Sequence, residues 1–485
     1  MKIPKNKNSI LKSQTAKQKI KIVFCASEIF PFAKTGGLAD VAGALPKALV
    51  KKECELKVLM PFYKNIKPQN MCNGYGTSKI GGIDFIFIKD DYFFFRDNLY
   101  VTKDGDYSDN LERFNFFSKQ VLNILMKINF SPDIIHCNDW QTALVSVYLK
   151  IIYKDSDFFQ NTKTVLTIHN LEYQGIFNKE KFSVLGLPCD CFDVNCLEFY
   201  GKINVLKGGI NFADIVNTVS PTYAEKITTH KYGCGLDGVL RNKKDNLIGI
   251  LNGIDYDVWN PETDEHIYKK YSVTSVSKNK AINKVKLQEA LGFSINKDVM
   301  LIGMVSRLVE QKGLDLINQV LNEVLGKYQL VILGEGEDRY KELLKEKEKE
   351  FKNSFTLTLR MDECFAHQIY AAADLFLMPS KFEPCGLSQM ISYKYGTIPL
   401  VHHAGGLFDS VEDVSNCGGG IIFKKYNAKD LMTALDRASK LYENKDSWNV
   451  VVNRIMNYDF SWARASDEYI SKAYRKLARV LSETV

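Results

Sequence analysis

The sequence predicts an α/β protein made of two doubly wound, parallel-sheet domains. Three observations predict it. Short apolar runs rich in β-branched residues alternate with longer helix-periodic segments along nearly all of the 485 residues. The runs are continuously apolar rather than alternating, which suits parallel strands covered on both faces. The pattern also breaks once, near residues 255–295, and then restarts, so two units of similar type follow one another.

In the first unit the strand candidates are Ile20–Ala26, Leu56–Met60, Phe85–Ile88, Ile134–Cys137, Thr164–Ile168, Ile215–Thr218 and Leu247–Ile250. Helical periodicity fills Leu111–Ile128 and Trp140–Ile152 between them, giving the β-α-β order of a doubly wound sheet. The break contains the polar turn Asp257-Val258-Trp259-Asn260-Pro261-Glu262, then a helix over Lys278–Leu291 that ends at Gly292. The second unit restarts with strand Val299–Met304, helix Leu314–Leu325, strand Gln329–Leu333, helix Arg339–Phe351, strand Leu375–Met378, helix Leu387–Tyr395 and strand Pro399–Val401. A last amphipathic helix runs from Phe460 to Leu477. The expected divisions are a flexible basic tail over 1–19, domains over 20–260 and 261–455, and a terminal helix within 456–485.

Composition excludes several classes. Sixty-four basic and 57 acidic residues leave a net charge of +7, mild and interspersed, which does not point to nucleic acid. Lys2, Lys5, Lys7, Lys12, Lys17, Lys19 and Lys21 crowd the first 21 residues without one acid. That leader lacks the apolar core of a secretory signal, and no apolar run reaches the roughly 18 residues of a membrane span. The 11 cysteines are scattered, with only Cys189, Cys191 and Cys196 close together and no paired CxxC spacing. Reduced thiols in a cytoplasm are expected, with no metal centre.

The candidate chemistry falls after strands, where ligands of such sheets bind. Lys34-Thr35-Gly36-Gly37-Leu38-Ala39-Asp40-Val41 follows the first strand. Paired glycines let backbone approach an anion, a helix start offers free N–H groups, and Lys34 adds a cation. The same eight residues also suit an ordinary β–α turn. Arg307 and Lys312 bracket the loop after Val299–Met304, and a guanidinium and an ammonium there fit a diphosphate. Glu383, in Lys381-Phe382-Glu383-Pro384-Cys385-Gly386-Leu387, follows Leu375–Met378. A carboxylate there can hydrogen-bond sugar hydroxyls, and the N–H groups from Gly386 and Leu387 onward can meet phosphate. His169 ends the strand Thr164–Ile168, Asp139 follows Ile134–Cys137, and Gly405-Gly406 follows Val401 in the same strand–turn–helix layout. Each feature alone is weak; their common placement is not.

Taken in order, these segments resemble the bacterial glycogen synthase and plant starch synthase family, glycosyltransferase family 5. The resemblance runs from about Ile20 to Leu477 and rests on Lys34–Val41, His136–Trp140, Thr167–Phe177, Gly201–Gly209, Thr218–Ala224, Tyr232–Leu240, Ile250–Asp255, Ser306–Asp315 and Phe382–Gln389. It implies a GT-B fold, with two Rossmann-like domains facing across a deep cleft and the terminal helix crossing back to the first. It implies a retaining transfer of glucose from ADP-glucose to the non-reducing end of an α-1,4-glucan, with no metal or cofactor. Lys34, Gly36 and Gly37 then match the loop that meets the donor phosphates, and Asp40 and Asn252 match the glucose and acceptor side. Asp139 matches a cleft acid, and His169 the histidine beside the reacting carbon. Arg307 and Lys312 match the pair that neutralises the leaving diphosphate, and Glu383 the carboxylate that holds the donor glucose. Gly386, Leu387, Gly405 and Gly406 complete the donor side. The implied setting is cytoplasmic, or a plastid in a plant or alga, with no nucleic-acid or membrane partner and oligomerisation left open.

Three positions depart from the pattern. His402-His403 stands where many members have Arg, which makes it a weaker or pH-dependent cation site. Met361 replaces an aromatic that stacks on adenine in some members, and Gln141 replaces a frequent His. Two other enzymes compete: a related transferase with another acceptor or UDP-glucose, and a nicotinamide oxidoreductase. Ala26-Ser27-Glu28 after the first strand disfavours the latter, which wants GxGxxG there. A non-catalytic carbohydrate-binding scaffold is disfavoured by retention of Lys34, His169, Arg307, Lys312 and Glu383 together.

Overall fold

The computed structural model describes residues 19–482 apart from Glu53 and Asp104, so the basic tail expected over 1–19 lies almost wholly outside the described residues. Two large sheets organise these residues. In the first, the neighbours in order are Leu247–Gly249, Ile215–Thr218, Lys163–Ile168, Ile134–Asn138, Ile20–Cys25, Cys54–Pro61 and Ile83–Ile88, all parallel. An antiparallel edge of Tyr75–Ile80 and Asn70–Cys72 extends it. In the second the order is Phe355–Thr358, Gln329–Leu333, Leu301–Val305, Leu375–Met378, Ile398–His402 and Ile421–Phe423, again parallel throughout.

Numbered within its own domain, each parallel sheet has the order 3-2-1-4-5-6, the first with a seventh strand beyond the sixth. The connections leave strands 1 and 4 in opposite directions, so a crevice opens past their carboxyl ends. The four segments with the strongest chemistry leave these strands. Lys34–Val41 follows Ile20–Cys25, and Asp139 follows Ile134–Asn138. Arg307 follows Leu301–Val305, and Glu383 follows Leu375–Met378.

Burial explains the strand sequences. Ile22, Val23, Phe24 and Cys25 are all fully buried, as are Leu330, Val331 and Ile332, because helices cover both sheet faces. Past the second domain the chain returns to the first. Ile254 N donates to Phe460 O at 2.8 Å, and Trp462–Glu468, a π-helical turn Tyr469–Tyr474 and Arg475–Ser482 follow. Tyr469 Oη accepts from Asn217 Nδ2 at 3.0 Å, and Tyr474 Oη lies 2.8 Å from His136 Nδ1. Burial drives the His136 pKa down to about 3, so this seam is held by a neutral imidazole.

Some elements are absent from the sequence reading: the antiparallel edge, the helices Glu363–Ala372, Ala428–Glu443 and Lys445–Met456, and a three-stranded sheet of Ile176–Asn178, Lys202–Asn204 and Glu198–Phe199.

Candidate active site

A cavity of about 870 Å³ separates the domains, and it is lined from both sides. Lys34, Gly36, Gly37, Asp40, Asp139, His169 and Asn252 face it from the first domain. Arg307, Lys312, Glu383, Gly386 and Leu387 face it from the second. The two walls touch. Arg307 Nη1 donates to Tyr173 Oη at 3.0 Å, and a Cβ at Gly37 would lie 3.6 Å from Leu387 Cδ1. The helix Gly37–Val50 therefore begins within van der Waals reach of the opposite domain.

On the second domain a buried ion pair forms the floor. Lys312 Nζ donates to Glu383 Oε2 at 2.5 Å, and Ser380 Oγ donates to the same oxygen at 3.1 Å. Side-chain exposure is 18% for Lys312 and 7% for Glu383, so this is a desolvated pair rather than a solvated surface one. Its geometry follows from Gly313, whose φ is +78°. A Cβ there would sit 2.1 Å from Pro379 O, so only glycine lets the Lys312 turn lie against the strand that carries Glu383.

Gly405 and Gly406 require a correction. They do not line the cavity. A Cβ on Gly405 would fall 2.0 Å from Glu383 O, and Gly406 N donates to that same carbonyl at 2.7 Å. The pair supports the Glu383 turn from behind, and the Gly406 N–H is already used. His402-His403 is corrected too. His402 Nδ1 lies 2.7 Å from Ser380 O, His403 stacks on Phe408, and burial lowers both pKa values. Neither lines the cleft, so they supply no cation there near neutral pH.

On the first domain, Lys34 Nζ donates to Asp40 Oδ1 at 2.7 Å. Burial raises the Asp40 pKa while Lys34 opposes the rise. Asp139 occupies the residue before helix Trp140–Ile151 with φ of 55°, an uncommon conformation for a side-chain-bearing residue and one that clusters at functional sites. Its Oδ1 accepts from His169 N at 2.7 Å, which fixes the backbone of the histidine. Burial lifts the Asp139 pKa to about 7, with the N–H groups of His169 and Asn170 pulling the other way. Asn138 Nδ2 donates to Cys25 O at 2.9 Å, so its Oδ1 faces His169 Nε2, also at 2.9 Å. That oxygen can only accept, which sets His169 as the Nε2–H tautomer and leaves Nδ1 as an acceptor. Burial lowers the His169 pKa to about 3, so the ring is a neutral hydrogen-bonding group, not a cation.

Two further residues escaped the sequence reading. Glu28 is buried and accepts from Thr35 N at 2.5 Å and Thr35 Oγ1 at 2.8 Å, bracing the glycine loop from behind. Burial raises its pKa to about 7 against those hydrogen bonds. Gln141 was seen only as a departure, yet it lines the cleft, and its Oε1, like the Oδ1 of Asn252, is buried without a protein partner.

Two doubly wound domains with cations on both walls of the cleft and a buried carboxylate beside them define a glycosyltransferase of the GT-B type. Residues 21–242 match the family model for the starch synthase catalytic domain, and 289–449 match that for glycosyl transferases group 1. The glycogen synthase of Thermotoga maritima is 42% identical over 95% of this chain and 100% of its own length. That of Geotalea daltonii is 44% identical over 93% and 97%. The catalytic domain of starch synthase IV from Arabidopsis thaliana, solved with ADP and acarbose, superposes with a TM-score of 0.87 at 33% identity, covering 95% of this chain and 99% of that one. Sucrose-phosphate synthase from Thermosynechococcus elongatus shares the fold, with a TM-score of 0.64 at 16% identity over 95% and 100% of the two chains. The chain belongs to the glycogen and starch synthase family.

Proposed function

We propose that this enzyme moves glucose from ADP-glucose to the non-reducing end of an α-1,4-glucan with retention of configuration. The observation that carries the reading is the convergence of Lys34, Arg307 and Lys312 with Glu383 on one cleft, from the switch points of both sheets. Breaking a glycosyl–phosphate bond leaves negative charge on the departing diphosphate and positive charge on the sugar. Arg307, Lys312 and Lys34 answer the first, with the N–H groups at the start of helix Gly37–Val50. Glu383 answers the second: Oε2 is engaged by Lys312 and Ser380, which leaves Oε1 for a glucose hydroxyl.

His169, neutral and held at two points, sets a rigid edge beside the sugar. Asn252 and Gln141 line the cleft where the donor glucose and the incoming chain would meet. Asp139 is held by the His169 N–H at 2.7 Å, and burial raises its pKa to about 7. The attack we propose is from the front face by the acceptor hydroxyl, with the leaving phosphate taking its proton. Closure of the walls, which already meet at Tyr173 and Leu387, would exclude the water that would otherwise hydrolyse the donor.

Transfer of radiolabelled glucose to glycogen from ADP-glucose and from UDP-glucose tests the reading. Faster incorporation from ADP-glucose is expected; no incorporation from either donor overturns it.

A further inference from the structure

The small sheet beside the cleft carries an anomaly. Glu198–Phe199 and Lys202–Asn204 form an antiparallel pair with Phe199 opposite Lys202, so Tyr200 and Gly201 are the whole turn. Their φ values are +49° and +77°. Positive φ at both central residues is the type I′ turn, which strongly prefers Asn-Gly or Gly-Gly. A tyrosine there is strained by its Cβ. The ring gains no burial in return, since Tyr200 is 83% exposed. Phe199 meets it edge-on, with ring centroids 4.7 Å apart, and a Cβ on Gly235 would lie 3.8 Å from Tyr200 Cε2. The ring is therefore propped outward at a position where neither turn chemistry nor the core requires it.

The hairpin is also tied to the cleft wall. Lys202–Asn204 pairs with Ile176–Asn178, which begins three residues after Tyr173. Val205 N donates to Gly175 O and Leu206 N to Gln174 O, both at 3.0 Å, and Asn204 Nδ2 donates to Gln174 Oε1 at 2.6 Å. Tyr173 lines the cleft and touches Arg307. A cavity of 870 Å³ holds a nucleotide sugar and the end of a chain, so the rest of a polymeric acceptor must run outside it. We infer that Tyr200 is a secondary glucan-binding platform, on which the body of a long α-glucan stacks while its end occupies the cleft. An exposed aromatic face packs against the C–H faces of glucose rings, and Glu198 and Lys202 flank the turn with groups for hydroxyls. This rests on the glucan-synthase reading above.

The test uses the full-length chain and the variants Tyr200→Asn and Tyr200→Trp. Asn is what the turn prefers, so Tyr200→Asn removes the ring without harming the hairpin. We expect Tyr200→Asn to raise KM for glycogen about fivefold, the scale of one lost aromatic contact. KM for maltotriose and for ADP-glucose should stay within about twofold, and retardation in glycogen-containing native gels should weaken. Tyr200→Trp should restore both glycogen readouts. Unchanged glycogen KM and retardation in Tyr200→Asn would overturn the platform, as would an equal rise in KM for both acceptors. If wild-type protein transfers glucose to no acceptor, the synthase reading fails, and the gel comparison alone then decides for or against the platform.

Discussion

Replacing Lys312 by alanine separates two roles that one ion pair combines. In the folded protein Lys312 and Glu383 share a 2.5 Å contact at low exposure. Removing the cation leaves a buried carboxylate with only the Ser380 hydroxyl. Loss of one partner of a fully buried pair costs about 3–5 kcal/mol, and the residual exposure of Lys312 reduces this to about 2–3 kcal/mol. In a domain of this size that corresponds to a melting temperature lowered by about 4–12 °C. If Lys312 also neutralises the departing diphosphate, kcat falls at least about 10²-fold, as when one preorganised charge-stabilising donor is removed. The two effects part in the double variant Lys312→Ala/Glu383→Gln. Neutralising the stranded carboxylate should recover most of the lost melting temperature and none of the lost rate. The assays are thermal unfolding and steady-state transfer to glycogen. A rate loss of only a few-fold in Lys312→Ala, or recovery of rate together with stability in the double variant, would refute the diphosphate role.

Three other outcomes follow from the same geometry. Glu383→Ala should cut turnover far more than it weakens ADP binding by calorimetry, because in the proposed function the carboxylate serves the sugar and not the diphosphate; near-normal turnover would remove it from the site. Arg307→Ala should lower kcat at least about 10²-fold, and Tyr173→Phe much less, since the tyrosine only orients the guanidinium. Asp139 should make stability pH-dependent. Its pKa is raised from 3.8 to about 7, so its contribution is complete below pH 4 and is lost as pH rises through 7. Thermal melts of Asp139→Asn from pH 5 to 8 should therefore decline less steeply than wild type; an identical slope would contradict a buried, proton-binding Asp139.

Much of this architecture is legible in the chain because a buried parallel strand must be apolar on both faces. Ile20–Cys25 and Leu375–Met378 are unmistakable for that reason. Once strands are placed, the loops at their carboxyl ends follow, which is why Lys34, Asp139, Arg307 and Glu383 stand out before any coordinates. The sheet holding Tyr200 is hidden because its strands are two or three residues long, too short for any periodicity. Gly405-Gly406 has the spacing of a phosphate turn, but spacing cannot say which side of the turn faces the ligand. Glu28 precedes the glycine loop and looks like a strand-end acid; only the fold reveals that Thr35 turns back onto it. The neutrality of His169 and the half-protonation of Asp139 are consequences of burial by distant segments, and no local sequence encodes them.

The central claim is that the diphosphate site is split between two domains, with the glycine loop as its first-domain half. Calorimetric titration of ADP into Lys34→Ala tests it most directly. Lys34 lies on the opposite wall from Arg307 and Lys312, so a split site predicts that its loss weakens ADP at least about tenfold, the worth of one charge-assisted hydrogen bond. Wild-type ADP affinity in Lys34→Ala would contradict the account, since the second domain would then hold the diphosphate alone.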